Sequence, residues 1–114
     1  MARLHVSSRR GAADAAVVLG QQIKFARVAR RWPATELAER IGVDRRTVAA
    51  IEAGDPSVSI GNVLNAADIL GVPLFGAEDA AELSRLRREG RERLALLPTR
   101  VHRPKRSAEP DDDF

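Results

Sequence analysis

The sequence predicts an all-α protein, and three of its features indicate that class. Apolar residues make up 44% of the chain and aromatic residues only 4%, so the core has to be built from Leu, Ile, Val and Ala. These apolar residues recur at intervals of three and four, which is the spacing of amphipathic helices. Gly and Pro residues interrupt the periodic segments, and they divide the chain into several short helices.

Length and composition limit the function classes that need to be considered. A chain of 114 residues is long enough for one compact domain. It contains no cysteine, which excludes a disulfide framework, thiolate metal sites and thiol catalysis and fits a reducing compartment. Apolar runs such as Ala15 to Leu19 are far shorter than the roughly 20 residues of a membrane span. We therefore expect a cytoplasmic protein without cofactor, metal or membrane partner.

The positive charge is concentrated in the first part of the chain. The net charge is +3, but residues 1–46 contain ten Lys or Arg residues against four Asp or Glu residues. Residues 47–114 contain nine basic residues against twelve acidic ones. A basic surface of this kind suits the phosphate backbone of nucleic acids, although a solvated surface without a partner has the same composition.

The first two helices are predicted from periodicity and from proline. Residues 1–12 have no apolar period and are predicted to form a mobile basic arm. A first helix should extend from Ala13 to about Arg31. Pro33 then stands where proline opens a helix, and the second helix carries one apolar stripe and ends at Gly42. The members of this stripe are Leu37, Ala38 and Ile41.

The third and fourth helices have clear starts and ends. Asp44 is predicted to cap a third helix that extends from Arg45 to about Ala53, with Val48 and Ile51 facing the core. Gly54 ends this helix. Ser59 then caps a fourth helix that ends at Gly71 and whose inward stripe consists of Ile60, Val63, Leu64, Ala67 and Leu70. Residues 13–76 are therefore predicted to form the folded domain.

Residues 77–98 are predicted to form a long fifth helix that Pro98 ends. Its apolar stripe is narrow and consists of Leu83, Leu86, Leu94 and Leu97 among many charged residues. Such a helix either packs weakly on its own domain or pairs with another chain, and the sequence leaves both interpretations open. Residues 99–114 are basic first and acidic last, without an apolar period, and are predicted to be disordered.

The second and third helices predict a helix-turn-helix. Two short helices joined by a tight turn at Gly42 would let the third helix enter the major groove of DNA. Arg45 and Arg46 are the first two residues of that helix. Cations at this end oppose the helix dipole, so the placement of the two arginines needs another reason. Each can donate two hydrogen bonds to a guanine or grip phosphates. The sequence contains no phosphate-binding glycine loop, nucleophile motif or zinc-binding histidine pair, so we expect no enzyme.

Two segments resemble the Xre-type family of Cro and phage repressors. They are ELAERIGVDRRTVAAIEAG, residues 36–54, and NVLNAADILGV, residues 62–72. The resemblance covers about residues 19–75. It implies a five-helix, lambda-repressor-like DNA-binding domain that works as a homodimer on a palindromic operator in double-stranded DNA.

The resemblance also implies roles for individual residues. The family's DNA-contacting positions correspond to Arg45, Arg46 and Ala50, with Thr47 and Ala49 beside them and Ala34 at the start of the second helix. A pair that braces the first helix against the third corresponds to Arg27 and Glu52. The family commonly has a DNA-contacting Gln where this chain has Ala34, a longer polar residue at Ala50 and a basic residue at Asp55. We therefore expect weaker operator binding by one isolated domain.

A second resemblance concerns a partner. The segment GDPSVSIGNVLNAADILGVPLF, residues 54–75, and the ending LLPTRVHRPKR followed by DDDF are similar to HipB-like antitoxins, which accompany HipA-like kinase toxins. This implies an autoregulating repressor of a toxin-antitoxin operon. The fifth helix and the tail, with Phe114 as an anchor, would then contact the toxin. The alternatives are a free-standing Xre-type regulator and a protein-interaction module with degenerate DNA binding.

Overall fold

The computed structural model describes residues 6–101 and 103–104, and five α-helices account for most of this part of the chain. They are α1 (Arg10–Ala29), α2 (Ala34–Ile41), α3 (Arg45–Ala53), α4 (Ile60–Ile69) and α5 (Ala80–Leu94). Across the residues described there is no strand; a single antiparallel bridge joins Leu74 to Ala77. The predicted all-α class is thus confirmed.

The core lies where the first four helices meet. Ile23 of α1, Leu37 of α2 and Val48 of α3 are its largest fully buried side chains. The remaining members of the cluster are Ala38, Ile51, Ala66, Ala67, Leu70 and Val72. All of these side chains are aliphatic, as the composition predicted. The helix α3 packs on both α1 and α2, so the core holds it at a defined angle.

Two glycines let α1 and α3 approach each other closely. A Cβ atom on Gly20 would lie 2.5 Å from the carbonyl oxygen of Ile51 and 2.8 Å from that of Glu52. A Cβ atom on Gly54 would lie 2.5 Å from the Cα atom of Val17. Real Cβ contacts are not this short, so only glycine fits at either position. Gly54 also has a φ of 76°, which glycine adopts without strain.

The bounds of α1 differ from those predicted. The helix begins at Arg10, three residues earlier, because its first turn needs no apolar residue and periodicity therefore does not detect it. Residues 10–12 consequently belong to α1 and not to the predicted arm. The helix ends at Ala29, where Arg31 has a φ of 59° and the amide of Trp32 donates to the carbonyl oxygen of Arg27. This hydrogen bond is part of a Schellman turn.

The helix α4 has the predicted cap, since the Ser59 hydroxyl oxygen accepts a hydrogen bond from the amide of Asn62. One member of its predicted inward stripe is misplaced. Ile60 is exposed, because the first residue of α4 lies at the edge of the domain, ahead of the buried pair Ala66 and Ala67.

The helix α5 is shorter than predicted at both ends. It begins at Ala80, because the carboxylate of Asp79 caps it by accepting a hydrogen bond from the amide of Glu82 at 2.9 Å. Ala77, the predicted first residue, is buried in the bridge with Leu74. The helix ends at Leu94, and Leu97 lies beyond it, next to Pro98, whose ring disfavours a helical conformation in the preceding residue.

The ends of the chain are described only in part. Residues 6–9 precede α1 and are exposed, and residues 99–101 and 103–104 of the predicted tail are exposed and non-helical. Residues 1–5, 102 and 105–114 lie outside the described residues, and they include Phe114.

Candidate nucleic-acid interface

A turn of three residues joins α2 to α3. Gly42 has a φ of 74°, the left-handed conformation in which a glycine ends a helix. The amide of Val43 donates to the carbonyl oxygen of Ala38 at 2.9 Å, and the Val43 side chain is half-buried against the core. The turn is therefore held by its backbone and by its own apolar residue, which fixes α3 relative to α2.

Asp44 caps the N-terminus of α3. Its carboxylate accepts a hydrogen bond from the amide of Thr47 at 2.8 Å. The hydrogen bonds that the amide and the side chain of Thr47 make to this carboxylate lower the pKa of Asp44 below its usual value. The carboxylate is therefore ionised at neutral pH and stabilises the first turn of the helix, on which the predicted DNA-contacting residues lie.

The outward face of α3 carries most of the predicted DNA-contacting residues. Arg45, Arg46 and Ala49 are exposed, while Val48 and Ile51 on the opposite face are buried as predicted. These three outward residues border an open concavity together with residues from α2 and from both ends of α3. Its full lining is Ala34, Asp44, Arg45, Arg46, Ala49 and Glu52. The structure therefore brings four of the six predicted DNA-contacting residues around one hollow.

The other two predicted DNA-contacting residues, Thr47 and Ala50, are half-buried and do not line the hollow. The Thr47 amide is engaged with the Asp44 cap. The carbonyl oxygen of Ala50 accepts a hydrogen bond from the amide of Asp55, which closes the C-terminal end of α3. The backbone groups of Thr47 and Ala50 thus stabilise the two ends of α3. The side chains of both residues are less accessible than those of Arg45 and Arg46.

In the described part of the chain, neither Arg45 nor Arg46 is held by an ion pair, although the charge of Arg46 is one of the lesser causes that lower the pKa of Asp44. No salt bridge to either arginine occurs within residues 6–101 and 103–104. Both guanidinium groups lie at the N-terminus of a helix, where the helix dipole already produces a positive potential. The two arginines therefore give their side of the hollow a positive charge that is suited to a polyanion, while the Glu52 carboxylate in the lining is paired with Arg27.

An ion pair joins α3 to α1. Arg27 of α1 donates two hydrogen bonds to the Glu52 carboxylate, at 2.6 and 3.0 Å, and a third to the carbonyl oxygen of Trp32 at 2.7 Å. Only 12% of the Arg27 side chain and 8% of the Glu52 side chain are exposed. The hydrogen bond to Glu52 raises the pKa of Arg27 above its usual value. These are the two residues for which the family resemblance implies a brace.

Trp32 forms a second support that the sequence did not reveal. Two guanidinium groups lie over its ring, with the central carbon of Arg40 at 4.1 Å and that of Arg30 at 5.2 Å from the ring centroid. Arg40 also donates to the carboxylate of Glu36 at 2.7 Å. This stack orients the start of α2, where Ala34 lines the hollow. The only signal in the sequence is a single tryptophan directly after two arginines.

The loop after α3 is closed by Asp55. Its carboxylate accepts hydrogen bonds from the amide of Ser57 at 2.9 Å and from the Ser57 hydroxyl at 2.7 Å. This is the position where the resembling family often has a basic residue. The side chain therefore shapes the loop and adds no positive charge to this edge of the surface.

Metal binding and membrane insertion would each require further features in the described part of the chain. It contains no group of three or more His, Asp and Glu side chains that could hold a metal ion. None of its helices combines the length and the apolar character that crossing a bilayer requires.

Comparison with known proteins identifies the domain. Residues 23–76 match the family HTH_3, which is described as helix-turn-helix. No curated protein and no solved structure matched the chain at a significant level. The matched segment begins inside α1 and contains α2, α3 and α4 in full, so it includes the turn, the hollow and both partners of the brace. Residues 23–76 are therefore a helix-turn-helix domain of the HTH_3, Xre-type family, which is a DNA-binding domain of transcription regulators.

Proposed function

We propose that the protein is a sequence-specific transcriptional repressor that binds a palindromic operator as a homodimer and inserts the first turns of α3 into the major groove. The observation that supports this most is the exposed pair Arg45 and Arg46, which form no salt bridge in the described part of the chain and lie at the N-terminus of a helix held by the core. Rigid presentation of such side chains is what base readout requires.

The chemistry of the surface defines what each residue contributes. Each guanidinium can donate two parallel hydrogen bonds to O6 and N7 of a guanine, or bind phosphate oxygens. Ala49 is small, which lets α3 approach the base edges, and Ala50 can contact only a thymine methyl group. Ala34 offers no side-chain hydrogen bond at the start of α2. One domain therefore binds weakly, and a second copy on the other half-site supplies the remaining affinity.

The substitution Arg46→Ala tests this proposal. The intact protein is first used to select its preferred duplex from a random library, and the duplex is then titrated by fluorescence anisotropy at fixed ionic strength. We expect the dissociation constant to rise about 5- to 150-fold, which corresponds to about 1 to 3 kcal/mol, because two base-directed hydrogen bonds are lost.

Arg88→Ala on α5 is the matched control, because it removes the same charge from an exposed position away from α3. Its operator affinity should stay close to that of the unmodified protein. Equal affinity of Arg46→Ala and the unmodified protein would remove Arg46 from the reading residues. Absence of salt-dependent binding to any duplex would instead favour the protein-interaction module.

We further propose that the repressor is the autoregulating antitoxin of a HipA-like kinase. The resemblance of residues 54–75 and of the C-terminal segment to HipB-like proteins supports this, as does the exposure of Leu96 and Val101 beyond α5. A free-standing regulator is the alternative. We expect a kinase gene beside this one. We also expect its product to co-purify with the full chain but not with a chain ending at Gly76, which lacks the fifth helix and the tail. Retention by the shorter chain would place the contact elsewhere.

A further inference from the structure

The junction between α1 and α2 contains an arginine in an unfavourable backbone conformation. Arg31 directly follows the C-cap of α1 and has a φ of 59°. In this left-handed conformation the Cβ atom of an L-residue lies too close to the following carbonyl oxygen, so glycine is the residue that normally adopts it. Among the described residues, Phe75 is the only other non-glycine residue with a positive φ. A side chain that is kept at such a cost points to a function outside the fold.

The turn itself does not need the arginine side chain. It is closed by the backbone, since the amide of Arg31 donates to the carbonyl oxygen of Val28 at 2.9 Å and the amide of Trp32 donates to that of Arg27 at 3.2 Å. Glycine would make the same backbone hydrogen bonds and adopt the same φ without strain. The Arg31 side chain is exposed, so burial does not compensate for the cost.

The guanidinium group of Arg31 has no partner within the described part of the chain. It takes part in no salt bridge, side-chain hydrogen bond or ring contact there. Two neighbouring arginines are engaged, because Arg30 and Arg40 both lie over the ring of Trp32. At this junction, Arg31 is therefore the described arginine that remains available for an external anion.

The dipole of α1 does not account for the arginine. Cations near the C-terminus of a helix are stabilising, but Arg27 already lies in the last turn of α1 and Arg30 is the C-cap. The interaction with the dipole is weak at exposed positions and is screened by salt. A third cation at this end therefore gains less than the left-handed conformation costs.

Arg31 lies next to the candidate nucleic-acid interface. Two residues separate it from Ala34, which lines the hollow together with Arg45 and Arg46. Three residues of chain span at most about 11 Å, so the backbone of Arg31 lies within that distance of the edge of the hollow. A duplex whose major groove receives α3 presents phosphates along both sides of that groove. An exposed cation beside the hollow is suited to such a phosphate.

We propose that the guanidinium group of Arg31 binds a phosphate of the DNA backbone beside the major groove that α3 enters. The inference rests on the DNA binding in the proposed function, and it adds a contact that does not depend on the base sequence. Arg31 then contributes to the affinity for every duplex, whereas Arg45 and Arg46 discriminate between sequences. The contact offsets the absence of a side-chain hydrogen bond at Ala34.

The substitution Arg31→Gly tests the proposal on the full chain. The selected operator duplex and a duplex of scrambled sequence are each titrated by fluorescence anisotropy over a range of NaCl concentrations. We expect both dissociation constants to rise by the same factor, about three- to tenfold at low ionic strength. The slope of log Kd against log salt concentration should fall by about 0.9, the contribution of one phosphate contact. Unchanged affinity and slope on both duplexes would overturn the proposal.

Two further variants control for charge. Arg31→Lys keeps a cation that can bind phosphate, so it should retain the salt dependence of the unmodified protein. Arg88→Ala removes one positive charge from an exposed position on α5 and should leave the slope unchanged. A slope that Arg88→Ala lowers as much as Arg31→Gly does would show that net charge, and not a contact at Arg31, sets the salt dependence. That result would also overturn the proposal.

Thermal unfolding separates a phosphate contact from a role in the turn. The Tm of Arg31→Gly should be equal to or above that of the unmodified protein, because glycine adopts the φ of this position without strain. A lower Tm together with weaker binding would show that Arg31 acts through the structure of the turn, which would contradict the phosphate contact.

A comparison with Arg46→Ala distinguishes this inference from the proposed function. Arg46→Ala should weaken binding to the operator more than binding to the scrambled duplex, whereas Arg31→Gly should weaken both equally. Full binding by Arg31→Gly beside a loss in Arg46→Ala would contradict the phosphate contact and leave the repressor intact. If the unmodified protein binds neither duplex at any salt concentration, both are contradicted.

Discussion

Replacing Gly20 by alanine should lower the free energy of unfolding by about 2 to 3 kcal/mol. The added methyl group would lie 2.5 Å from the carbonyl oxygen of Ile51 and 2.8 Å from that of Glu52. Both are backbone atoms of α3, so neither can move away as the end of a side chain can. The two helices have to separate, and the core residues between them lose contact. The loss exceeds the gain in helix propensity that alanine brings.

The unfolding of Gly20→Ala is measured in urea beside Gly61→Ala. Gly61 also lies in a helix, but a Cβ atom there would meet nothing within 4 Å. Gly61→Ala should therefore raise the free energy of unfolding by about 0.5 to 1 kcal/mol. Opposite signs for the same chemical change would identify the approach of α1 to α3 as the cause. Equal changes in the free energy of unfolding for the two variants would mean that α1 and α3 accommodate the added methyl group without cost.

Arg27→Met should destabilise the domain by about 3 kcal/mol, the lower end of the range for removing one partner of a buried ion pair. The methionine fills most of the volume of the arginine side chain but makes none of its three hydrogen bonds. The Glu52 carboxylate, of which only 8% is exposed, would be left without its cation. The carbonyl oxygen of Trp32 would lose its donor as well.

Arg85→Met on α5 provides the control, because Arg85 and Glu89 form an ion pair of similar length with about half of each side chain exposed. We expect a change within about 0.5 kcal/mol, since solvent screens such a pair. The fluorescence of Trp32, the single tryptophan, should change with Arg27→Met and stay constant with Arg85→Met. A destabilisation by Arg27→Met as small as that of the control would show that the pair does not brace α3.

Local signals in the sequence were sufficient for most of the helices and for two of the caps. Asp44 and Ser59 stand directly before α3 and α4, and each accepts the hydrogen bond that its position predicts. The cap of α5 is Asp79, but the apolar Ala77 ahead of it made the helix appear to begin there. Helix ends without an apolar residue, such as the start of α1, give no periodic signal.

The candidate site was predictable to a similar degree. The family resemblance pointed to Arg45 and Arg46 because the motif around them is local and specific. It also included Ala34 and Ala49, but it could not indicate that Thr47 and Ala50 would be half-buried and outside the hollow, since that depends on how the helices pack. The support by Trp32 was missed for the same reason. Its partner Arg40 lies in the last turn of α2, and only folding brings the two together.

By itself, the sequence determined that this is a chain of short amphipathic helices with a basic helix-turn-helix, because helix period, capping and turn residues act between neighbours in the chain. Only the tertiary structure decided that Gly20 and Gly54 sit at a helix crossing and that most of the α5 stripe remains uncovered. Both depend on the angle and distance at which separate helices pack. Those quantities are set by all the side chains of the core together, and no local pattern records them.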